Sequence, residues 1–185
     1  MGDVPCDVAP AVTVLMPVHN GLPHLREAIE AVLSQTLTDG WELLIVDDAS
    51  SDGSWDVASE YASSHVPVSV HRHQANAGLY PALNRWIPVL RSEYVTIAMQ
   101  DDRLEATYLE QMIELARGHP DVGAIWATHH TIDDRGRRLS RPSAVFDIQL
   151  DDGDRITLEQ ANSAIDSGRT HLIPPGVGPW LSALE

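Results

Sequence analysis

The stretch Trp41 to Ser54, WELLIVDDASSDGS, carries an apolar run, Leu43 to Val46, that leads straight into Asp47 and Asp48. A half-exposed strand shows a polar residue at every second position. Without that alternation both faces must be covered, which is the situation of a central strand in a parallel sheet. The carboxyl ends of such strands open into the crevice where open α/β sheets collect their ligands. Adjacent carboxylates there can accept hydrogen bonds from a base or a ribose. Asp47 and Asp48 are also good turn formers, and Ser51 or Asp52 suits the start of a following helix. The readings divide by residue: Asp52 and Gly53 make the turn, and Asp48 serves a ligand.

The rest of the chain supplies the neighbours that this strand needs. Ala11 to Met16 reads as a first strand, left by a loop Pro17-Val18-His19-Asn20-Gly21, because Pro17 lacks a ladder donor and Gly21 tolerates any φ. A helix follows, with Pro23 in its first turn and Leu22, Leu25, Ile29, Val32 and Leu33 on one face. Together with the acidic strand this predicts a βαβ unit with a right-handed crossover. A weakly amphipathic helix over Ser54 to Ser63 leads to Val66, Val68 and Val70, whose alternation predicts a half-buried strand nearer the sheet edge. His71 and His73 continue that alternation and are read as solvated side chains without a third metal ligand. Gln74 to Ile87 is a polar turn feeding a helix striped by Leu79, Leu83, Ile87 and Leu90, which Pro88 should kink or end. Tyr94 to Met99 is a second buried strand, with Gln100, Asp101 and Asp102 at its end.

Ala106 to Arg117 is predicted as a helix with Leu109, Met112, Ile113 and Ala116 inward, closed by Gly118 and Pro120. Val122 to Thr128 gives a strand, and Asp133-Asp134-Arg135-Gly136 a hairpin turn before Arg137 to Leu139. Beyond Ser140 the pattern loosens. Thr157 to Gln160 has the capping-box spacing of a short helix, and the segment around Ile173-Pro174-Pro175 cannot sustain one.

Length and charge exclude several classes. At 185 residues the chain suits one α/β domain plus a tail. We expect a frayed leader over 1–10, the ligand-binding domain over 11–139 and a partial region over 140–185. The formal charge is -15, and all 12 basic residues are arginine. Such a surface repels phosphate backbones, so no nucleic-acid partner is expected. Cys6 is the only cysteine, so no internal disulfide can form, and neither a signal peptide nor a membrane span is evident. A cytoplasmic setting is the expectation.

Two acidic clusters, Asp47/Asp48 and Asp101/Asp102, end two buried strands of one expected sheet, so one pocket should see both. Oxygen ligands without cysteine favour a hard cation, Mg²⁺ or Mn²⁺. Neither a GxxxxGK[ST] loop nor a GxGxxG is present to cradle phosphates.

VTVLMPVHNG, then LSQT, WELLIVDDASSDGS, NAGLYPALNRWI and SEYVTIAMQDDRL follow in order between Ala11 and Thr128. In that order and spacing the chain resembles the nucleotide-sugar-binding half of an inverting family 2 glycosyltransferase. The resemblance implies the GT-A fold, a Rossmann-like α/β/α sandwich of three layers around a mainly parallel sheet, with its C-terminal part truncated. It implies that Pro17, Val18, His19, Asn20 and Asp48 contact the nucleoside and that Asn76 and Gly78 line the pocket. It places Gln100 and Asp101 at the nucleotide and gives the metal, Mn²⁺ or Mg²⁺, to Asp101 and Asp102. The donor implied is a nucleotide-diphosphate sugar, and the acceptor a glycan, lipid or small molecule. An acceptor hydroxyl would attack the anomeric carbon from the face opposite the leaving group, aided by a carboxylate base. Three departures stand out. Met99 replaces the first aspartate of the DXD-type motif, Trp86 replaces the usual glycine before Ile87, and the acidic catalytic stretch expected after Ile173-Pro174-Pro175 is missing, which puts the base beyond Glu185.

Two rivals are weighed. A phosphoacceptor receiver domain also opens with an acidic pair, but there the acidic strand comes first and a lysine is required. A noncatalytic nucleotide-sugar-binding or interaction module keeps the acidic loops and loses transfer. Asp147, Asp151, Asp152, Asp154 and Asp166 fall in segments that read as loop-like or exposed, where the burial that tunes a base is not expected. We therefore expect a fragment that binds donor and transfers poorly, with apolar surface near Ile173, Val177, Trp180 and Leu181 open to self-association.

Overall fold

The structure is a computed structural model and describes residues 9–38, 40–65, 67–120, 122–127, 129–133, 135–138 and 171–173. The expected helix at Thr157, the later aspartates, Val66 and most of the leader lie outside the described residues. The chain divides into two compact units, Met1–Glu114 and Leu115–Glu185, taken here in turn.

The first unit is built on a four-stranded sheet of β1 (Val12–Val18), β2 (Trp41–Asp47), β3 (Val68–Arg72) and β4 (Tyr94–Ile97), in the order β3-β2-β1-β4. Every pairing is parallel, with Leu15 opposite Leu44 on β2 and Ile97 on β4. Each parallel step needs a crossover, and the helices supply it: α1 (Leu25–Leu33), α2 (Ser54–Ser64) and α3 (Leu79–Trp86), with α4 (Tyr108–Gly118) after β4.

Both faces of the sheet centre are covered, as the unalternating sequence requires. All of β1 is buried, and so is β2 from Leu43 onward. Val14, Met16, Val18, Leu43 and Ile45 form one core cluster with Leu25, Ile29 and Val32 of α1, Val57 and Ala58 of α2, and Leu109 of α4. Residues of the other parity, Leu15, Leu44 and Val46, are buried outside that cluster, as are Ala82 and Leu83 of α3, a helix that meets β1. The result is the expected three layers around a parallel sheet.

Three details differ from the sequence reading. Pro17 and Val18 lie inside β1 rather than in the loop after it. The Leu15 carbonyl accepts from Ala98 N on the β4 side, while Val18 O accepts from Asp48 N on the β2 side. By the alternation of a parallel ladder, Pro17 turns its missing donor toward β4, where the pairing has already ended at Ile97, so the strand loses no bond. Tyr94 to Met99 was expected to be buried, yet β4 stops at Ile97 and alternates, with Val95 and Ile97 about two-fifths exposed at 42% and 39%. Among the described residues it is an edge strand of this sheet, with β1 its single partner. Leu22 is exposed and, with Pro23, precedes α1 rather than joining it. As expected, Pro88 ends α3, which passes into a 3-10 turn over Ile87–Val89.

In the second unit β5 (Ala124–Trp126) pairs antiparallel with β6 (His171–Ile173), a strand that the sequence reading did not expect. The hairpin turn at Asp133 is present. Gly136 N donates to Asp133 O over 2.8 Å, and Ile132 bridges Arg138.

Candidate functional site

The order β3-β2-β1-β4 means that the chain leaves β1 toward β2 and β3, then returns to the other side of β1 for β4. In open α/β sheets ligands bind at the carboxyl ends of the strands at such a switch point. Four segments carry the candidate residues there: His19 to Gly21 after β1, Asp48 to Gly53 after β2, His73 to Gly78 after β3, and Gln100 to Asp102 after β4.

Gln100 clamps the first of these loops. Its Oε1 accepts from His19 N at 2.8 Å and its Nε2 donates to His19 O at 3.2 Å. Gly21 makes room for the clamp, because a Cβ at that position would fall 2.9 Å from Gln100 Oε1. The His19 ring spans two further loops. Nε2 faces the amides of Asn76 (2.9 Å) and Asn20 (3.2 Å), and Nδ1 lies 2.8 Å from Asp48 O. An acceptor carbonyl at Nδ1 places the ring proton there, so Nε2 accepts from the Asn76 and Asn20 amides. Backbone and ring of His19 are thus both engaged.

The acidic loop separates into structural and site-facing groups. Asp47 is fully buried, and its carboxylate pairs with Arg72 Nε at 3.1 Å and accepts from Ser50 N. Arg72 also donates to Ser50 O at 2.8 Å and lies 5.3 Å over the Trp55 ring. Asp52 accepts from Ser54 N and Oγ and from Leu22 N, making the expected turn, while Gly53 at φ 93° precedes α2. Asn20 (φ 53°) ties the two loops, its Oδ1 accepting from Ser51 N at 2.8 Å and its N donating to Ser50 Oγ.

Asp48 is 4% exposed. Its Oδ1 accepts from His73 Nδ1 at 2.8 Å, its Oδ2 from Gly78 N at 2.7 Å, and Ala77 N is shared between the two oxygens. Burial pushes the carboxyl upward, and the bonds from His73, Ala77 and Gly78 outweigh it, so its pKa lies below the ordinary aspartate value. A carboxylate offers about four lone-pair directions. Three protein donors take them up here, Ala77 N bridging both oxygens, so a ligand donor would share the carboxylate with Ala77 N. Gly78 adopts φ 90° and ψ 166°, a region essentially closed to residues with a Cβ, and Asn76 Oδ1 caps its N–H at 2.9 Å.

His73 is the residue that the sequence reading missed. It was expected on a solvated strand face, yet β3 ends at Arg72 and the chain turns, leaving the imidazole side chain 9% exposed against Asp48. Strand parity stops predicting direction once the strand has stopped. One signal was present in the sequence: a neighbouring helix that carries Trp86, whose N–H needs a partner when buried.

Of the other candidates, Pro17 and Val18 have buried side chains in β1, so polar side-chain contacts from this segment fall to His19 and Asn20, both exposed. Asn76 is also exposed, and Gly78 and Gln100 are half-buried. Asp101 and Asp102 are exposed beside a turn closed by Asp102 N on Met99 O. Among the described residues no three His, Cys, Asp or Glu side chains converge as a cage for a metal. Two exposed carboxylates suit a hard cation that completes its shell with water and a ligand's phosphate oxygens, as Mg²⁺ usually does. The donor set therefore fits Mg²⁺ or Mn²⁺ bound together with a phosphorylated ligand, and does not fit a structural zinc.

The model of the family described as glycosyl transferase family 2 matches residues 13–171. The Bacillus subtilis (strain 168) protein EpsH is 37% identical over 113 residues, which is 61% of this chain and 32% of that one. The chain thus spans about a third of the length of that relative. Among solved structures, S. aureus TarS in complex with UDP superposes with a TM-score of 0.58 at 19% identity, covering 70% of this chain and 38% of that one. The mannosyltransferase PcManGT from Pyrobaculum calidifontis, in complex with GDP-Man and Mn²⁺, gives 0.57 at 24% identity over 68% of this chain and 37% of that one. These structural likenesses support the GT-A fold. Among the described residues no helix is long and apolar enough to cross a membrane.

Proposed function

The chain belongs to glycosyl transferase family 2, and from that premise we propose that the crevice after β1, β2 and β4 binds a nucleotide-diphosphate sugar for inverting transfer to an acceptor hydroxyl. The observation that carries the reading is the hydrogen-bonded junction itself. Gln100 holds the His19 backbone, the His19 ring joins Asp48 to Asn76, and Asp48 gathers the Ala77 and Gly78 amides, all at the switch point of a parallel sheet.

The chain's own residues divide the work. Asp48 offers to a base N–H the acceptor capacity that it shares with Ala77 N, next to the exposed polar groups of His19, Asn20 and Asn76. Asp101 and Asp102 hold Mg²⁺ or Mn²⁺ against the diphosphate, a role that matters because the chain has no lysine to neutralise phosphate. When bound, the ion supplies charge neutralisation for the departing nucleoside diphosphate. The ligands of the structural neighbours support a nucleotide donor and a divalent ion, since TarS was solved with UDP and PcManGT with GDP-Man and Mn²⁺.

The test is a thermal-shift and calorimetric panel of UDP, GDP, TDP and CDP sugars, each with Mn²⁺ and with chelator. One nucleotide should raise the melting temperature, by a margin that grows with its concentration over Kd, and chelator should abolish most of the effect. No stabilisation by any nucleotide in excess Mn²⁺ would overturn the reading.

A further inference from the structure

Trp86 is half-buried at the last residue of α3, and its Nε1–H donates to His73 Nε2 over 3.2 Å. An indole nitrogen can only donate. Nε2 is therefore the acceptor in this pair, and the imidazole proton resides on Nδ1, which points at Asp48 Oδ1 2.8 Å away. Moving that proton to Nε2 would set donor against donor at Trp86 and a lone pair against a carboxylate at Asp48. Little water reaches the pair to relieve either clash, since the His73 and Asp48 side chains are 9% and 5% exposed. On its other side Trp86 meets His71, with ring centroids 4.4 Å apart, which restrains the indole.

We propose that Trp86 is a positioning residue: by holding His73 in the Nδ1–H tautomer it orients the Asp48 carboxylate that carries the Ala77 and Gly78 amides, and so shapes the nucleoside end of the donor crevice. The inference rests on the donor-site reading for its consequence, though not for the tautomer itself. Resemblance to the family leads one to expect glycine at this position, and glycine has no side-chain donor. The lock is thus a feature of this chain's own sequence. It also gives Trp86 an effect on the site without contact with a ligand, through one intermediate ring.

The experiment compares the full chain with Trp86→Phe, which keeps an aromatic ring for His71 and deletes the N–H. Long-range ¹⁵N–¹H spectra of the His73 ring should show the Nδ1–H tautomer alone in the parent and a mixture in W86F, with the Ala77 and Gly78 amide resonances displaced. Affinity for the nucleotide that binds the parent should fall about three- to tenfold, the usual weight of one hydrogen bond. His73→Asn supplies an amide N–H toward Asp48 that has no tautomer, so adding W86F to it should change affinity little further. A single Nδ1–H tautomer in W86F, or a shifted tautomer with unmoved amides and unchanged affinity, would overturn the proposal. Should the parent bind no nucleotide, the donor reading falls, while the ring and amide spectra still decide whether Trp86 sets the tautomer and the turn.

Discussion

Asp48→Asn keeps the shape of the side chain and changes only its hydrogen-bonding character, which makes it a sharp probe of the junction. The carboxylate accepts from the His73 ring, Ala77 N and Gly78 N. A carboxamide has one accepting oxygen and one donating NH₂. With its oxygen kept on Ala77 and Gly78, the NH₂ confronts His73 Nδ1–H, and the ring cannot switch its proton because Trp86 Nε1–H occupies the other side. A charge-assisted bond is then lost, worth about 1.5–3 kcal/mol, and a buried donor is left unmet, at about 1–3 kcal/mol. The two costs overlap because they concern the same contact, so the expected loss is about 2–4 kcal/mol out of a typical 5–15. Urea unfolding should show a lower midpoint at unchanged slope. A loss below about 0.5 kcal/mol at constant slope would mean that Asp48 does not carry this network. The pH dependence adds a second check. Asp48 titrates below its unfolded value of 3.8 when folded, because its three donors outweigh burial. Between those two pKa values the unfolded chain binds the extra proton, so stability rises with pH there. The contribution is complete above about pH 5 and vanishes as pH falls through the folded pKa. The gap between parent and D48N should therefore be flat near neutrality and close on acidification.

Gly78→Ala forces a Cβ into the φ 90°, ψ 166° conformation and should cost about 1–3 kcal/mol by urea unfolding, together with nucleotide affinity; an unchanged midpoint would show that the turn relaxes freely. Gly21→Ala places a Cβ 2.9 Å from Gln100 Oε1, so the Gln100 side chain must leave His19; calorimetry should show weaker nucleotide binding, and full affinity would remove Gln100 from the donor site. Asp101→Asn is at an exposed position and should leave stability within about 0.5 kcal/mol while abolishing the benefit of Mn²⁺ to nucleotide binding. Unaltered Mn²⁺ dependence would move the metal to other ligands.

Periodicity and composition already revealed the parallel α/β sheet, because residues that must hide from water on two faces cannot be polar at alternate positions. Leu43 to Val46 in β2, the helix stripes of α1 and α3 and the stop at Pro88 follow from that rule and from backbone chemistry alone. The motif order also led to the family. Contacts between segments far apart in the chain were not legible. Whether β4 is central or at an edge depends on which strands pair, and with β1 as its single partner among the described residues it leaves Val95 and Ile97 half open. Pro17 could remain in β1 only because its missing donor points past the end of β4, a matter of register. Asp48 looked like a ligand's residue waiting at a strand end, and folding surrounds it with a histidine 25 positions away and two later amides. Local sequence reports the environment that each residue needs. The identity of the group that meets it is chosen by the sheet order and the turns, because hydrogen bonds are short and directional, and an ångström of displacement decides which donor reaches which oxygen.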